Sequence, residues 1–382
     1  MELADRVINQ KELLWNKDWK KKPIIFWGCG NNAKIVKRLL EKKGIAPTAF
    51  CDNNPILVGG EIEGVRILSY EQVVEQFDDY CIVLTVAINN AIPILDQLES
   101  AREKKPVFHM EKPFKVDEDF LEYDYMIGNM DRFEEVYNML EDEKSKDIFV
   151  TCVNFKLSGN KMELMKYVDG DTFFDEKIIP LKADYSFVDV GAYTGDTLLR
   201  FYGFCRGKYE QIYALEPDKG NYNALQHLVK FGRLNNIHLF NVGGWDTKTE
   251  LTFFTLANND ERHFDSPNFF KGMEDTIPNS LNIQKEMYIE EKIEVDTVDN
   301  LLQGAKCDVI KINALAADFQ VLRGSRETIK KYKPVIVGEY GTQKEYLLDM
   351  IKYIKEIEPT YKIYLRQKMI FGDCKTVYIA TV

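Results

Sequence analysis

The chain has 382 residues, of which 45% are apolar and 12% aromatic, a composition typical of a globular protein with two or three domains. Its 61 acidic side chains outnumber its 50 basic ones, and the net charge of -11 argues against nucleic acid or an anionic membrane surface as a partner. No apolar run reaches the length of a signal sequence or a membrane span, and the seven cysteines include no Cys-x-x-Cys pair. These features predict a cytoplasmic protein with reduced cysteines.

The first 110 residues predict a small Rossmann-like α/β domain. The short apolar segments PIIFW, TAFC and CIVLTV alternate with helical stretches over residues 32–43 and 92–99. This alternation is typical of a parallel sheet with crossover helices.

A glycine-rich turn follows the first of these strands, and it contains no acid. Gly28 and Gly30 would leave free N–H groups at the start of a helix, where phosphates bind, and Asp52 follows Gly30 by 22 residues. One interpretation is a nucleotide or nucleotide-sugar site. The alternative is purely structural, because glycine suits a tight turn and Asp52 opens the turn sequence Asp-Asn-Asn-Pro.

Residues 111–183 predict a helical connector. Strand-like segments become sparse there, and Phe133, Val136, Tyr137 and Leu140 recur at helical spacing among acidic residues.

From residue 184 to 382 the strand-helix alternation returns and predicts a second Rossmann-like sheet. Its strands are expected at FVDV, IYAL, IHLFNV, CDVIKI and PVIVGE, and the segments KIYLR and TVYIA predict a final hairpin. An insert before the fourth strand contains two more predicted strands, ELTFFT and KIEV. The polar segment between them, 258–279, is long enough to lie over a site.

An acidic glycine turn follows the first strand of this second sheet. Gly191 and Gly195 have Asp189 before them at the strand end and Asp196 directly after them. Two unit charges about 4 Å apart interact by roughly 4 kcal/mol at the effective dielectric of a protein surface, so the turn favours a cation over a pyrophosphate. S-adenosylmethionine fits, because it has no phosphate, carries a sulfonium and an ammonium, and offers ribose hydroxyls to Glu216 at the end of the next strand.

The connector and the whole second domain resemble the FkbM family of methyltransferases. The matching segments are LEDEKSKDIF at 140–149, FFDEKII at 173–179, FVDVGAYTGDT at 187–197, IYALEPDKGNY at 212–222 and YKIYLR at 361–366. The resemblance implies a class I methyltransferase fold, S-adenosylmethionine as cofactor, and a hydroxyl of a glycan or small natural product as acceptor. The first domain resembles the nucleotide-sugar-type Rossmann domain that often precedes such enzymes.

The resemblance also implies which residues contact the cofactor. They lie in the turn after the first strand, directly after the second strand, and at the end of the third: Asp189, Gly191, Tyr193, Thr194, Gly195, Asp196, Thr197, Glu216, Pro217, Asp218 and Asn241.

The sequence departs from the family pattern where the acceptor would bind. The family usually carries Lys-x-Asp-Ile-Glu-Gly-Ala-Glu after the fourth strand, whereas residues 311–318 read Lys-Ile-Asn-Ala-Leu-Ala-Ala-Asp. Asn313 keeps the shape of an aspartate without its charge, and Asp318 alone retains an acid. Gly341 and Gln367 stand where relatives tend to carry histidines.

Methyl transfer depends chiefly on in-line positioning, and a general base adds roughly 10²- to 10⁴-fold when the acceptor is a neutral hydroxyl. Four residues are candidates for holding or deprotonating the acceptor: Asn313, Glu339 and Tyr340 at strand ends, and Arg366, which could clamp an acidic group. Glu339 also suits a strand-end hydrogen bond, and Arg366 a surface ion pair. His263 is a further candidate base, although a solvated loop residue is the simpler interpretation.

No metal site is predicted, because the histidines and cysteines do not cluster at ligand spacing. Two functions of different classes remain open. One is a methyltransferase acting on a small-molecule or glycan acceptor, and the other is a non-catalytic protein that binds the cofactor as a sensor or scaffold. A third interpretation, a nucleotide-sugar-modifying enzyme, would centre on the first domain.

Overall fold

The structure is a computed structural model that describes residues 3–16, 22–100, 105–111, 121–256, 269–270, 288–314, 317–341, 346–370 and 373–382. Three single-turn 3₁₀ helices, Leu3–Asp5, Gln10–Glu12 and Leu14–Asn16, precede the first sheet.

The first sheet has the strand order β3-β4-β2-β1-β5-β6, and its pairs are parallel except for the short β3-β4 pair. Its strands are rich in β-branched and aromatic residues, and all four residues of β1 are buried. The elements are β1 (Ile24–Trp27), α1 (Asn31–Lys42), β2 (Ala49–Cys51), β3 (Glu61–Ile62), β4 (Val65–Leu68), α2 (Tyr70–Gln76), β5 (Cys81–Leu84), α3 (Ile88–Ser100) and β6 (Val107–His109). The Rossmann-like sheet predicted for this part of the chain is confirmed.

In the part of the connector that the structure describes, residue 111 and residues 121–183, there are four helices: α4 (Tyr123–Gly128), α5 (Met130–Asn138), α6 (Glu143–Ser158) and α7 (Met162–Met165). Asp142 begins α6 as its N-cap, since its side chain accepts the N–H of Ser145 at 2.8 Å, and Gly159 ends the helix with φ 73°. The helical spacing of Phe133 and Val136 therefore belongs to α5, and Asp142 starts a new helix.

The second sheet has seven strands in the order β16-β17-β15-β14-β7-β8-β9, parallel except for the hairpin strand β17 beside β15 and β16. Its elements are β7 (Tyr185–Val190), α8 (Asp196–Phe204), β8 (Tyr209–Leu215), α9 (Lys219–Phe231), β9 (Ile237–Phe240), β10 (Gly243–Gly244), β11 (Thr249–Leu256), β12 (Phe269–Phe270), β13 (Tyr288–Asp296), α10 (Val298–Leu302), β14 (Val309–Ile312), α11 (Asp318–Gly324), α12 (Arg326–Tyr332), β15 (Val335–Glu339), α13 (Tyr346–Ile357), β16 (Lys362–Ile370) and β17 (Asp373–Thr381). The predicted sheet and its final hairpin are confirmed. So are the two added strands, because β11 and β13 pair antiparallel in a separate four-stranded sheet.

One hydrophobic core joins the parts of the chain. Ile25 and Ile82 of the first sheet, Phe149 and Val153 of α6, and Tyr378 of the second sheet belong to a single contiguous cluster of buried side chains. The core contains side chains from both sides of residues 110 and 183. It therefore does not separate the three predicted domains, and the boundaries at these residues stay predictions.

A second cluster of aromatic side chains covers the other face of the second sheet. The rings of Phe187 on β7 and Phe201 on α8 stack with centroids 4.1 Å apart. Burial of a side chain of this size contributes about 1.5–3 kcal/mol, which holds α8 and the turn before it against the sheet. No helix in the described ranges is both long and apolar enough to cross a membrane.

Candidate active site

The carboxyl ends of β7, β8, β14 and β15 meet at one edge of the second sheet, where ligands bind in open parallel α/β sheets. The strand register places Lys311 beside Asp189 and Ile312 beside Gly338. Residues from four separate parts of the chain therefore converge at this edge: 189–196, 216–218, 313–314 with 317–318, and Glu339.

The turn between β7 and α8 requires its two glycines. Gly191 has φ 74° and Gly195 has φ 95°, a left-handed conformation that other residues rarely adopt. A Cβ at Gly191 would stand 2.0 Å from the carbonyl oxygen of Asn313, and one at Gly195 would stand 2.3 Å from Leu228 Cδ2. The turn is therefore pressed against the end of β14 on one side and against α9 on the other.

Asp189 is wholly buried beneath this turn and faces Lys311, which is 1% exposed. Lys311 Nζ lies 2.9 Å from Asp189 Oδ1 and donates to the carbonyl of Gly191 at 2.7 Å. Burial raises the pKa of Asp189 to about 6, although Lys311 opposes that rise. Lys311, which comes from the neighbouring strand, therefore partly compensates the negative charge of Asp189.

Glu216 closes the edge at the end of β8, and it is 6% exposed. Its carboxylate accepts the backbone N–H of Tyr193 at 2.8 Å and of Asp218 at 3.0 Å. Burial raises the pKa of Glu216 to about 7, although these two hydrogen bonds act to lower it. The side chain of Asn241 donates to the carbonyls of Glu216 and Pro217 at 2.9 and 3.0 Å, so it holds the bend that carries Glu216.

The other predicted cofactor residues lie around the same turn. Tyr193 has φ 49° and is 47% exposed, so its ring stands at the surface of the edge. Thr194 is next to it and half-buried, and the hydroxyl of Thr197 donates to Asp196 at 3.3 Å. Asp218 is the N-cap of α9. The structure thus gathers the predicted residues at one place, and their role as cofactor contacts stays a prediction.

Two of the four candidate acceptor residues lie at this edge. Asn313 donates its N–H to the carbonyl of Val190 at 3.1 Å, and its own carbonyl packs on the glycine turn. Glu339 ends β15, is 8% exposed, and lies 3.5 Å from Lys375 Nζ.

The other two candidates are engaged elsewhere. Tyr340 is buried and donates its hydroxyl to the carbonyl of Leu347. Arg366 lies 2.6 Å from Asp142 Oδ2 and donates to Ser145 Oγ at 3.1 Å. The guanidinium therefore links the start of α6 to β16. This ion pair accounts for an arginine at position 366, and no role in binding an acceptor is needed.

Sequence reasoning missed the roles of Lys311 and Asp318 at this edge. Asp318 is 2% exposed and accepts the N–H of Ala314 at 2.8 Å, and burial raises its pKa to about 7. The signal for Lys311 was its charge inside the apolar segment CDVIKI, because a buried lysine needs an opposite charge nearby.

The glycine turn of the first domain is partly explained by packing. Gly28 has φ 113°, and a Cβ there would stand 2.5 Å from Val86 Cγ1, whereas a Cβ at Gly30 would meet no atom within 4 Å. Asp52 accepts the N–H of Cys29 at 3.0 Å and of Asn54 at 2.9 Å, as the structural alternative requires. The nucleotide site stays a prediction.

Within the described ranges, no group of three His, Cys, Asp or Glu side chains is arranged to hold a metal ion. His263 and nearly all of the 258–279 segment lie outside the described residues.

Residues 189–359 match the sequence model of the methyltransferase FkbM domain. The crystal structure of methyltransferase FkbM from Methylobacillus flagellatus KT is similar over 94% of this chain and 90% of that one, with 18% sequence identity and a TM-score of 0.68. This likeness shows that the fold is shared along nearly the whole chain. No protein curated for its function matches the sequence.

Two further solved structures are each similar to 53% of this chain. Precorrin-6y C5,15-methyltransferase from Geobacter metallireducens GS-15 is 13% identical over 80% of its length, with a TM-score of 0.29. M. jannaschii TYW2 in complex with AdoMet is 13% identical over 69% of its length, also with a TM-score of 0.29. Scores this low support no further conclusion about this chain.

The family match begins at Asp189 and spans the glycine turn, Glu216, Asp318 and Glu339, which the fold brings to one edge of the second sheet. The chain therefore carries a domain of the FkbM methyltransferase family.

Proposed function

We propose that this protein transfers a methyl group from S-adenosylmethionine to a small-molecule or glycan acceptor. The proposal rests mainly on the surroundings of the buried Asp189 carboxylate. No backbone N–H of the described residues donates to this buried carboxylate, and Lys311 Nζ, which lies 2.9 Å from Oδ1, also donates to the carbonyl of Gly191. A buried carboxylate of this kind favours a positively charged ligand at the edge above it.

The other residues at the edge fit the same donor. Asp196, Glu216 and Asp218 add negative charge there, and the charges of Asp196 and Asp218 act on Asp189 and Glu216 respectively. Glu216 would accept hydrogen bonds from the ribose hydroxyls, and Asp196 suits the ammonium group. S-adenosylmethionine would supply an electrophilic methyl group when bound. A pyrophosphate would be repelled by the same carboxylates.

The protein's own part in the reaction is to hold the acceptor in line with that methyl group. The end of β14 at Asn313 touches the glycine turn, and Glu339 ends the neighbouring strand β15. These two segments are therefore proposed to face the acceptor. The neutral Asn313 gives an acceptor site different from the usual family pattern.

Replacement of Glu216 by glutamine tests the donor site. Glu216→Gln should weaken binding of S-adenosylhomocysteine by about 10- to 100-fold, because hydrogen bonds to a charged group contribute roughly 1.5–3 kcal/mol. Isothermal titration calorimetry measures the dissociation constants. Glu75→Gln, at an exposed position on α2, is the matched control and should bind like the wild type.

Absence of binding by the wild-type protein, or an unchanged affinity in Glu216→Gln, would contradict this donor site. Turnover is then measured as S-adenosylhomocysteine released with a panel of alcohols, amines, sugars and nucleotide sugars. The nucleotide sugars are included because the first domain is predicted to bind them.

A non-catalytic protein that binds the same cofactor is the second candidate. It is favoured by the neutral Asn313 in the position where the family usually has an aspartate. Tight cofactor binding that is lost in Glu216→Gln, together with no turnover across the whole panel, would favour this alternative.

A further inference from the structure

Two buried acids at the carboxyl edge of β14 and β15 interact electrostatically. Ile312 pairs with Gly338, so the residues that follow them, Asn313 and Glu339, leave the two strands next to each other. Asp318 begins α11 directly after the loop from β14. Only 2% of Asp318 and 8% of Glu339 are exposed. Lys375 Nζ lies 3.5 Å from the Glu339 carboxylate, whereas Asp318 accepts the backbone N–H of Ala314.

A short series of contacts ties Asp318 to the glycine turn. A Cβ at Gly191 would stand 2.0 Å from the carbonyl oxygen of Asn313 and 3.5 Å from the Cα of Ala314. The N–H of Ala314 in turn donates to Asp318 Oδ1 at 2.8 Å. The carboxylate is therefore held beside the turn where the donor is proposed to bind.

The surroundings of Asp318 raise the pH at which it loses its proton. Burial raises its pKa to about 7, and the charge of Glu339 on β15 adds to the rise. Lys311 on β14 opposes it, and Lys311 is already shared with Asp189. A carboxyl group with a pKa near the working pH is suited to accept and return a proton.

A buried hydroxyl without a partner lies beside the same pair. Tyr378 on β17 is 0% exposed, and its hydroxyl has no hydrogen-bond partner in the described part of the chain. A Cβ at Gly338, the residue before Glu339, would stand 2.9 Å from this hydroxyl. Burial raises the pKa of Tyr378 well above its usual range, and the charge of Asp318 adds to the rise. Buried hydroxyls are normally hydrogen-bonded, so this one points to a ligand at the pair.

We propose that Asp318 lies beside the reacting methyl group and is the base that takes the proton of a hydroxyl or amine acceptor. This inference rests on the proposed methyltransferase function. In that step the O–H or N–H bond of the acceptor breaks, and its proton passes to the Asp318 carboxylate. The electron pair left on the acceptor atom forms the bond to the methyl carbon, while the carbon–sulfur pair stays on sulfur.

Proton release on binding tests this placement without an acceptor. S-adenosylmethionine and S-adenosylhomocysteine share their ribose and amino acid parts and differ at the reacting centre, where only the former has the methyl group and sulfonium charge. A positive charge within about 4–6 Å lowers a carboxyl pKa by roughly 1–3 units, and a group with a pKa near 7 is about half protonated at pH 7. S-adenosylmethionine should therefore release up to about half a proton more than S-adenosylhomocysteine.

The measurement is titration calorimetry at pH 7 in buffers of different ionisation enthalpy. The difference between the two ligands should vanish in Asp318→Asn. It should persist in Glu327→Gln, at an exposed position on α12. Glu339→Gln should shift the release to lower pH, because it removes the charge that raises the pKa of Asp318. This second variant also covers the case in which Asp318→Asn does not fold.

Equal proton release by both ligands in the wild type would overturn the proposal, as would a difference that survives in Asp318→Asn. Failure of both ligands to bind the wild type would instead overturn the proposed function itself. With any acceptor that the wild type methylates, Asp318→Asn should lower kcat by about 10²- to 10⁴-fold, the usual contribution of a general base. Its affinity for S-adenosylhomocysteine should be unchanged.

Discussion

Lys311 shows how one buried charge holds the site together. A lysine inside an apolar strand is stable only if its ammonium is compensated, and here it contacts Asp189 and the carbonyl of Gly191. The same contacts fix the position of the glycine turn, because Lys311 comes from the neighbouring strand. The cation and the anion therefore stabilise the fold as a pair, and neither is stable alone.

Removal of the Lys311 cation should strongly destabilise the folded protein. Lys311→Met should lower the free energy of unfolding by about 3–5 kcal/mol, because it leaves a buried carboxylate uncompensated. Urea unfolding at pH 7 measures the loss. The double variant Lys311→Met with Asp189→Asn should recover much of it, while Lys330→Met, exposed on α12, should be nearly neutral. A loss below about 1 kcal/mol in the single variant would contradict the pairing, since surface substitutions alone reach about 0.5 kcal/mol.

The two sheets each carry a strand-turn-helix unit, and their turns differ in what surrounds them. In the second sheet the Gly191 turn is enclosed by β14 and α9, so no side chain fits. In the first sheet Gly30 has an extended backbone, φ -78° and ψ -172°, and faces open space. Packing therefore requires glycine at position 191, whereas it does not require glycine at position 30.

Alanine substitutions at Gly191 and Gly30 should differ in how much they lower the free energy of unfolding. Gly191→Ala should destabilise the protein by about 2–4 kcal/mol, because the left-handed backbone and a forced shift of Asn313 both add strain. Gly30→Ala should change the free energy of unfolding by less than about 0.5 kcal/mol. Urea unfolding of both variants is the measurement, and equal losses would contradict the difference in packing.

At the scale of the whole molecule, three buried carboxyl groups set the pH dependence of stability. Burial raises the pKa of Asp189 to about 6 and those of Glu216 and Asp318 to about 7. Each group binds its proton more tightly in the folded chain than in the unfolded one. Their contribution to stability is therefore complete below about pH 4, near their unfolded pKa values, and is lost as the pH rises through 6 and 7.

The wild-type protein should accordingly lose stability between pH 5 and pH 8 relative to Glu216→Gln with Asp318→Asn. The expected difference is on the order of 5 kcal/mol, because each of the two groups loses about 1.4 kcal/mol per pH unit over roughly the two units from pH 5 to pH 7. Chemical unfolding at half-unit steps of pH measures it. Ion-paired acids with lowered pKa values, such as Asp142 and Asp308, lose their contribution only as the pH falls into the acid range. Parallel stability curves for the two proteins would contradict the assignment.

The amino-acid sequence by itself determined both parallel sheets, the final hairpin and the added strands of the insert. Their apolar segments alternate at strand and helix periods, which are local properties of the chain. It also determined the glycine turn and the resemblance to the FkbM family, because both depend on residues that are adjacent along the chain.

Only the tertiary structure decided which charges meet. Asp189 with Lys311, and Arg366 with Asp142, are separated by 122 and 224 residues, and no local pattern records such pairs. From the sequence, Arg366 was therefore a candidate for binding an acceptor. Asp318 was only the one acid retained where residues 311–318 depart from the family pattern. Burial and the register of neighbouring strands set the partners and protonation of these groups, and both arise only when distant segments pack together.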